Sequence, residues 1–239
     1  VWCYDHLSGA NLGGDAVLDV WSMLAAIATT TERVTIGSLV VNVTTRHPAH
    51  IAVAAATLQS LSAGRFRLGL GAGASRPSPF AGELDMFQLP HHSAGARREC
   101  LVDTIGFLRA LWHGARSFES RWASFDGADA VAIPYPRCPI IVGANGPKTA
   151  ALAASWADGV NFHSREPNLD ELVRRAREIA LNGDAPFAVS VEGPFETEWL
   201  DDNSSTLRDL TAIGVTEVML RWNPKMGLDP IRDAARWLS

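Results

Sequence analysis

The chain carries only two lysines, Lys148 and Lys225, and no run of five or more basic residues. With a formal net charge of −5, that shortage argues against a nucleic-acid surface, which needs clustered positive charge. No apolar stretch approaches the roughly 18 residues of a membrane-spanning helix, so no membrane partner is expected. Cysteine is scarce as well: Cys3, Cys100 and Cys138 are odd in number and far apart. They point to free thiols in a reducing compartment, hence a cytoplasmic protein, and not to a disulfide frame. His47-Pro-Ala-His50 and His91-His92 lack a third ligand at suitable spacing, so no metal is expected. A Gly-x-Ser-x-Gly elbow is missing, which removes the esterase reading. Arginine and alanine abound where lysine does not, a bias typical of a GC-rich bacterial genome.

What is present suits a sizeable core, since hydrophobic residues make up 47% of 239. A single domain spanning 1–239 is the expectation at this length. Strand-length apolar runs fall at 1–4, 34–41, 65–71, 139–142, 159–162, 187–192 and 215–221. Helical patterns fall between and after them, at 16–30, 50–61, 97–113, 147–156, 169–182, 204–213 and 230–238. Alternation of this kind gives βα units and a parallel sheet, either doubly wound or closed into a barrel. The region 113–138 reads as a long loop, and its Trp122, Phe125 and Tyr135, with Trp112 before it, are expected to pack the core, the alternative being a lid over a hydrophobic substrate.

Two glycine-containing stretches carry local chemistry. Gly69, Gly71 and Gly73 alternate, which is not a dinucleotide fingerprint: that pattern needs two residues before its third glycine and a helix opening at once. They either let the backbone approach a planar ring or relieve crowding. Gly143-Ala-Asn-Gly-Pro-Lys148 joins a strand to a helix. N–H groups at a helix N-terminus attract anions, and Lys148 adds positive charge there.

The stretch from Glu32 to Pro48, followed by Leu61-Ser-Ala-Gly-Arg-Phe-Arg-Leu-Gly-Leu-Gly-Ala-Gly73, resembles the luciferase-like monooxygenase superfamily, whose members use flavin or deazaflavin. The resemblance implies a TIM (β/α)8 barrel. It sets Val1-Trp-Cys-Tyr-Asp-His6 at the second barrel strand, so the expected barrel lacks its first βα unit. In the deazaflavin branch an Asp-His pair at that strand end contacts the cofactor. Asp5 would orient the ring and His6 would exchange a proton as hydride moves. In several relatives the next strand carries a bulge with a non-proline cis peptide. By position it would be Leu39–Val40, with Asn42 as a polar contact and Ala72 and Gly73 against the ring. The resemblance gives the cofactor phosphate to Asn145, Gly146, Lys148 and Thr149.

Departures narrow the activity. Ala74 stands where the sugar-phosphate dehydrogenases of the family place a catalytic glutamate, and Ala10 replaces their tryptophan. Their basic group for substrate phosphate is replaced by His163-Ser-Arg-Glu166, which argues against glucose 6-phosphate as substrate. The expectation is therefore a coenzyme F420-dependent oxidoreductase acting on another small molecule, with a homodimer common in the family. An FMN-dependent monooxygenase is the alternative, and a non-catalytic flavin-binding scaffold or inactive fragment is a third.

Overall fold

The computed structural model of the protein describes residues 1–180, 186–201, 204–222 and 224–237. Internal contacts divide it into two compact units, Val1–Gly143 and Ala144–Ser239. The first unit runs β1 (Trp2–Cys3), α1 (Val20–Thr30), β2 (Ile36–Ser38), β3 (Val41–Asn42), α2 (Pro48–Leu61) and β4 (Phe66–Gly71). It continues with α3 (Gly82–Met86), α4 (Ala94–Trp112), a hairpin of β5 (Phe118–Glu119) and β6 (Ser124–Phe125), and β7 (Ile140–Gly143). Strands β1, β2, β4 and β7 pair in that order, all parallel, and β3 also pairs with β4. Parallel neighbours require crossovers, which α1, α2 and α4 supply. Leu68 through Gly71 are buried without alternation, as in strands covered on both faces.

Helix starts follow their caps. The alanine-rich pattern suggests a start at 16, but α1 begins at Val20, because Asp19 Oδ2 accepts from Ser22 N at 2.9 Å and fixes the first turn. Helix α2 begins at Pro48, whose missing N–H costs nothing in a first turn, behind the His47 cap. Helix α4 begins at Ala94, three positions ahead of the expectation, behind Ser93. Its buried residues are Cys100, Leu101, Thr104, Ile105, Phe107, Leu108 and Leu111, a face built mainly on spacings of three and four.

The expected strand over 34–41 is broken in two. Gly37 pairs with Arg67 and Val41 with Leu70, so three residues, Ser38, Leu39 and Val40, oppose two, Leu68 and Gly69. That is a one-residue bulge. Ser38 Oγ bridges the gap, accepting from Gly69 N at 3.0 Å and donating to Gly69 O at 3.0 Å. The Leu39–Val40 peptide inside the bulge is cis.

The second unit holds α5 (Pro147–Trp156), β8 (Gly159–His163), α6 (Leu169–Ala180), β9 (Ala188–Pro194), α7 (Ser205–Ile213), β10 (Glu217–Arg221) and α8 (Asp229–Trp237). Strands β8, β9 and β10 are parallel neighbours. Helix α6 buries Leu169, Leu172, Val173 and Ala176 and leaves its charges outward. Asn182 and Leu238, expected at the ends of helices, lie outside the described residues.

Two loop expectations change. The stretch 113–138 contains the β5–β6 hairpin, whose Phe118 and Phe125 pack on Phe107 with ring centroids 6.0 and 4.9 Å away. Tyr135 is 89% exposed, so it takes no part in the core, whereas Trp122 sets its ring edge-on to His92. The stretch after β4 is not featureless either. Ser78 caps a short turn at Phe80 N and Pro79 opens it, leading into α3. No described helix is long and apolar enough to cross a membrane.

Candidate active site

Asp5 and His6 follow β1 directly, yet they have different partners. Asp5, 9% exposed, is gripped by Arg46, with Nη2 2.6 Å from Oδ1 and Nε 2.9 Å from Oδ2. Asn42 N donates to Oδ2 at 3.2 Å. The hydrogen bond to Asp5, ahead of the opposing effect of burial, holds the Arg46 pKa above its ordinary value. Arg46 also lies over the Trp21 ring, 5.8 Å from its centroid. A carboxylate so occupied is a brace between the segment after β1 and the loop after β3, and not a free acid or base.

His6 meets Glu83. Its Nδ1 is 2.9 Å from Glu83 Oε1, and the other oxygen accepts from Leu7 N at 2.9 Å. An ionised carboxylate only accepts, so Nδ1 carries the proton toward it and Nε2 keeps the lone pair. Phe80 stacks on the imidazole at 4.3 Å between centroids and 27° between planes, fixing its orientation. Glu83 is 8% exposed and comes from α3. Histidine oriented by a buried carboxylate, with one nitrogen left to accept, is chemically able to take and return a proton.

Behind this pair the bulge and β4 fit together through their glycines. A Cβ on Gly71 would lie 2.4 Å from Val40 Cγ2, and one on Gly143 3.1 Å from Val40 Cγ1. A Cβ on Gly69 would lie 1.9 Å from the Ser38 carbonyl oxygen. Gly69 and Gly71 therefore relieve crowding by the bulge. Gly73 differs: its φ of +81° is left-handed, and a Cβ there would sit 2.6 Å from Asn42 Oδ1. Asn42 Oδ1 is occupied by Thr44 N at 3.0 Å and Thr44 Oγ1 at 2.8 Å, which leaves its amide nitrogen for another acceptor. The structure thus gathers Asp5, Val40, Asn42 and Gly73 into one layer at the strand ends, with Leu39 in the bulge and half-buried Ala72 just beyond β4.

In the second unit, Asn145, Gly146, Lys148 and Thr149 occupy one turn at the start of α5. Gly146 has φ +146°, and no side chain caps the helix. The first-turn N–H groups of Lys148 and Thr149 therefore have no capping acceptor, and Lys148 is exposed beside them. Farther along, the ends of β8, β9 and β10 bring together His163, Glu192 and Arg221. Arg221 Nε is 2.7 Å from Glu192 Oε1, and its Nη2 is 3.1 Å from His163 Nε2. Of the paired histidines, His47 Nδ1 accepts from Ala49 N, and His91 Nε2 is 2.7 Å from Asp85.

The sequence profile of the luciferase-like monooxygenase family matches residues 1–199. The chain belongs to that family. Among curated relatives of this luciferase-like chain, the F420-dependent hydroxymycolic acid dehydrogenase of Mycobacterium tuberculosis is 32% identical over 170 residues. That match covers 70% of this chain and 46% of the relative. The F420-dependent glucose-6-phosphate dehydrogenase of Nakamurella multipartita is 33% identical over 172 residues, covering 71% of this chain and 49% of that one. The chain thus spans about half the length of these relatives. Among solved structures, an F420-dependent secondary alcohol dehydrogenase in complex with an F420-acetone adduct superposes with a TM-score of 0.78 at 16% identity. That alignment covers 100% of this chain and 90% of the other. The shared fold, with parallel βα units in both bodies here, is the α/β TIM-barrel class.

Sequence reading missed three members of the site: Glu83, Phe80 and Arg46. Ser78-Pro79 followed by Glu83 was the available signal, a cap and a first-turn proline with an acidic residue soon after. Arg46 had no signal beyond lying just ahead of a helix start.

Proposed function

We propose that this luciferase-like protein is an F420-linked oxidoreductase that oxidises an alcohol-type carbon of a small organic substrate, or reduces the matching carbonyl. The His6–Glu83 pair carries the reading, in a chain whose curated relatives are named F420-dependent dehydrogenases. The residues suit such a cofactor. In the first unit, Gly73 offers backbone with no side chain in the way, and Asn42 has an amide nitrogen to spare. When bound, the deazaflavin would accept or return the hydride.

The chain's own part is to hold the reactants and manage the proton. Oxidation of a hydroxyl-bearing carbon to a carbonyl releases a hydride and a proton. His6 Nε2 takes that proton from the hydroxyl oxygen, and Glu83 stabilises the imidazolium through Nδ1. Asp5 and Arg46 lock the surrounding loops, so that the imidazole keeps one position through the step. Ala74 leaves no carboxylate at the family's glutamate position, which favours a substrate other than glucose 6-phosphate.

The test is titration of the purified protein with F420 and FMN in parallel, followed by tryptophan fluorescence, then a screen of alcohols and ketones at the deazaflavin absorbance. Tight F420 binding and turnover that falls in His6→Ala support the reading. Preference for FMN with oxygen uptake would assign the protein to the monooxygenase chemistry of its family. Binding of neither cofactor would leave a scaffold.

A further inference from the structure

Between the loop after β4 and the start of α4 lies a cavity of about 280 Å³, wholly within the first unit and separate from the His6–Glu83 pair. Ser75, Arg76, His91, His92, Ser93 and Arg97 line it. Arg97 donates from Nη1 to the Gly73 carbonyl, while its Nε is enclosed and has no hydrogen-bond partner among the described residues. Burial, and then the neighbouring charge of Arg98, pulls the Arg97 pKa down, so this cation is not compensated by its surroundings. Arg76 has no carboxylate partner among the described residues. Asp85, held by His91, points largely into solvent with 72% side-chain exposure.

Ser93 accepts from Ala96 N and so caps one first-turn donor of α4, leaving the N–H groups of Ala94 and Gly95 without an intrahelical acceptor. Two guanidiniums, two imidazoles and a helix N-terminus around one small cavity match the geometry of an oxyanion, not of an apolar group.

We infer that this cavity is a subsite for an oxyanion, a phosphate or carboxylate, borne by a ligand of the strand-end site. The Arg97 bond to the Gly73 carbonyl ties the subsite to the layer holding Asn42, so an occupied subsite also orders the glycine backbone proposed to lie against the cofactor. The inference rests on the proposed function only for the identity of the ligand, because the cavity binds inorganic anion by itself.

The test is calorimetric titration of the whole chain with inorganic pyrophosphate. Lys148→Ala is run alongside, because the uncapped start of α5 could also attract an anion. Saturable binding that survives Lys148→Ala is expected. Arg76→Ala and Arg97→Lys are each expected to weaken it about tenfold or more, as loss of a charge-assisted fork implies. Arg76 is exposed, so its variant folds; circular dichroism melts check Arg97→Lys. Absence of saturable binding, or affinity unchanged in both arginine variants, overturns the inference. F420 is then compared with its deazaflavin head group lacking the anionic side chain. If Arg76→Ala erases the preference for the whole cofactor, the anion belongs to the cofactor. If the preference survives while pyrophosphate binding is lost, the anion belongs to the substrate. Pyrophosphate binding without any F420 binding would sink the proposed function and leave the subsite standing.

Discussion

Glu83 holds two consecutive residues with its two oxygens: His6 Nδ1 is 2.9 Å from Oε1, and Leu7 N donates to Oε2 at 2.9 Å. One carboxylate thereby sets the backbone that presents the imidazole and the tautomer of the ring. Glu83→Gln separates these roles. The amide oxygen still accepts from Leu7 N, but the amide nitrogen then faces Nδ1 and forces the proton to Nε2, the nitrogen needed as acceptor. Turnover is expected to fall about 100-fold in His6→Ala and at least tenfold in Glu83→Gln, with cofactor affinity little changed. The kinetic split decides between roles. A purely structural Glu83 would weaken cofactor affinity and turnover together, whereas loss of the dyad lowers turnover alone.

Asp5 and Arg46 make the second prediction. Their side chains are 4% and 24% exposed, so removing one partner strands a buried charge. Arg46→Ala is expected to cost about 3 kcal/mol, the lower end for a broken buried pair because Arg46 is partly in water. Adding Asp5→Asn should restore part of that loss. Urea unfolding of the two single variants and the double gives the coupling energy, and additive effects would show that the pair does not act as a brace.

Gly69 and Gly71 differ in what a methyl group would meet, and that difference is testable. At Gly71 it meets the Val40 side chain at 2.4 Å, which shortening can remove. At Gly69 it meets the Ser38 carbonyl oxygen at 1.9 Å, which no side-chain change removes. Gly71→Ala is expected to cost about 1–3 kcal/mol, as overpacking does, and Val40→Ala should recover much of it. Gly69→Ala should cost more and gain nothing from Val40→Ala. Thermal melts of the four variants check this. Equal rescue at both positions would mean that the bulge yields as a unit.

These glycines also mark how far the sequence could be read. Alternation of apolar runs and helical patterns located the strands and helices of the described parallel βα units, though not α3 or the β5–β6 hairpin, because burial on both faces of a parallel strand leaves a continuous apolar signature. The bulge left no such signature, since Leu39 and Val40 are as apolar as the strand they interrupt; only the family resemblance pointed to Leu39–Val40. Asp5 and His6 were legible as a pair, but their partners were not. Arg46 lies 41 residues from Asp5 and Glu83 lies 77 from His6, and an ion pair closed over such a distance writes nothing into local periodicity. The glycines at 69 and 71 were read for two roles, and geometry assigns them to crowding, leaving Gly73 as the conformational one.

Asp19 gives the last prediction, a dependence on pH. Burial would raise its pKa, but hydrogen bonds from Ser22 N and Ser22 Oγ, with the nearby Arg46 charge, outweigh that and bring it below the ordinary carboxylate value. A folded-state pKa that is lowered means that the ionised form favours folding. Its contribution is therefore complete above the unfolded value of roughly 3.9 and disappears as pH falls through the lower folded value. The carboxylate is 47% exposed, so water screens the effect and the contribution is small. Asparagine caps helices as well as aspartate does, so Asp19→Asn removes the charge and keeps the cap. Melting temperatures of the parent and Asp19→Asn should differ modestly at pH 7, with the parent higher, and converge as the buffer is taken below the folded value. A gap that persists in acid would assign the stabilisation to cap geometry and not to charge.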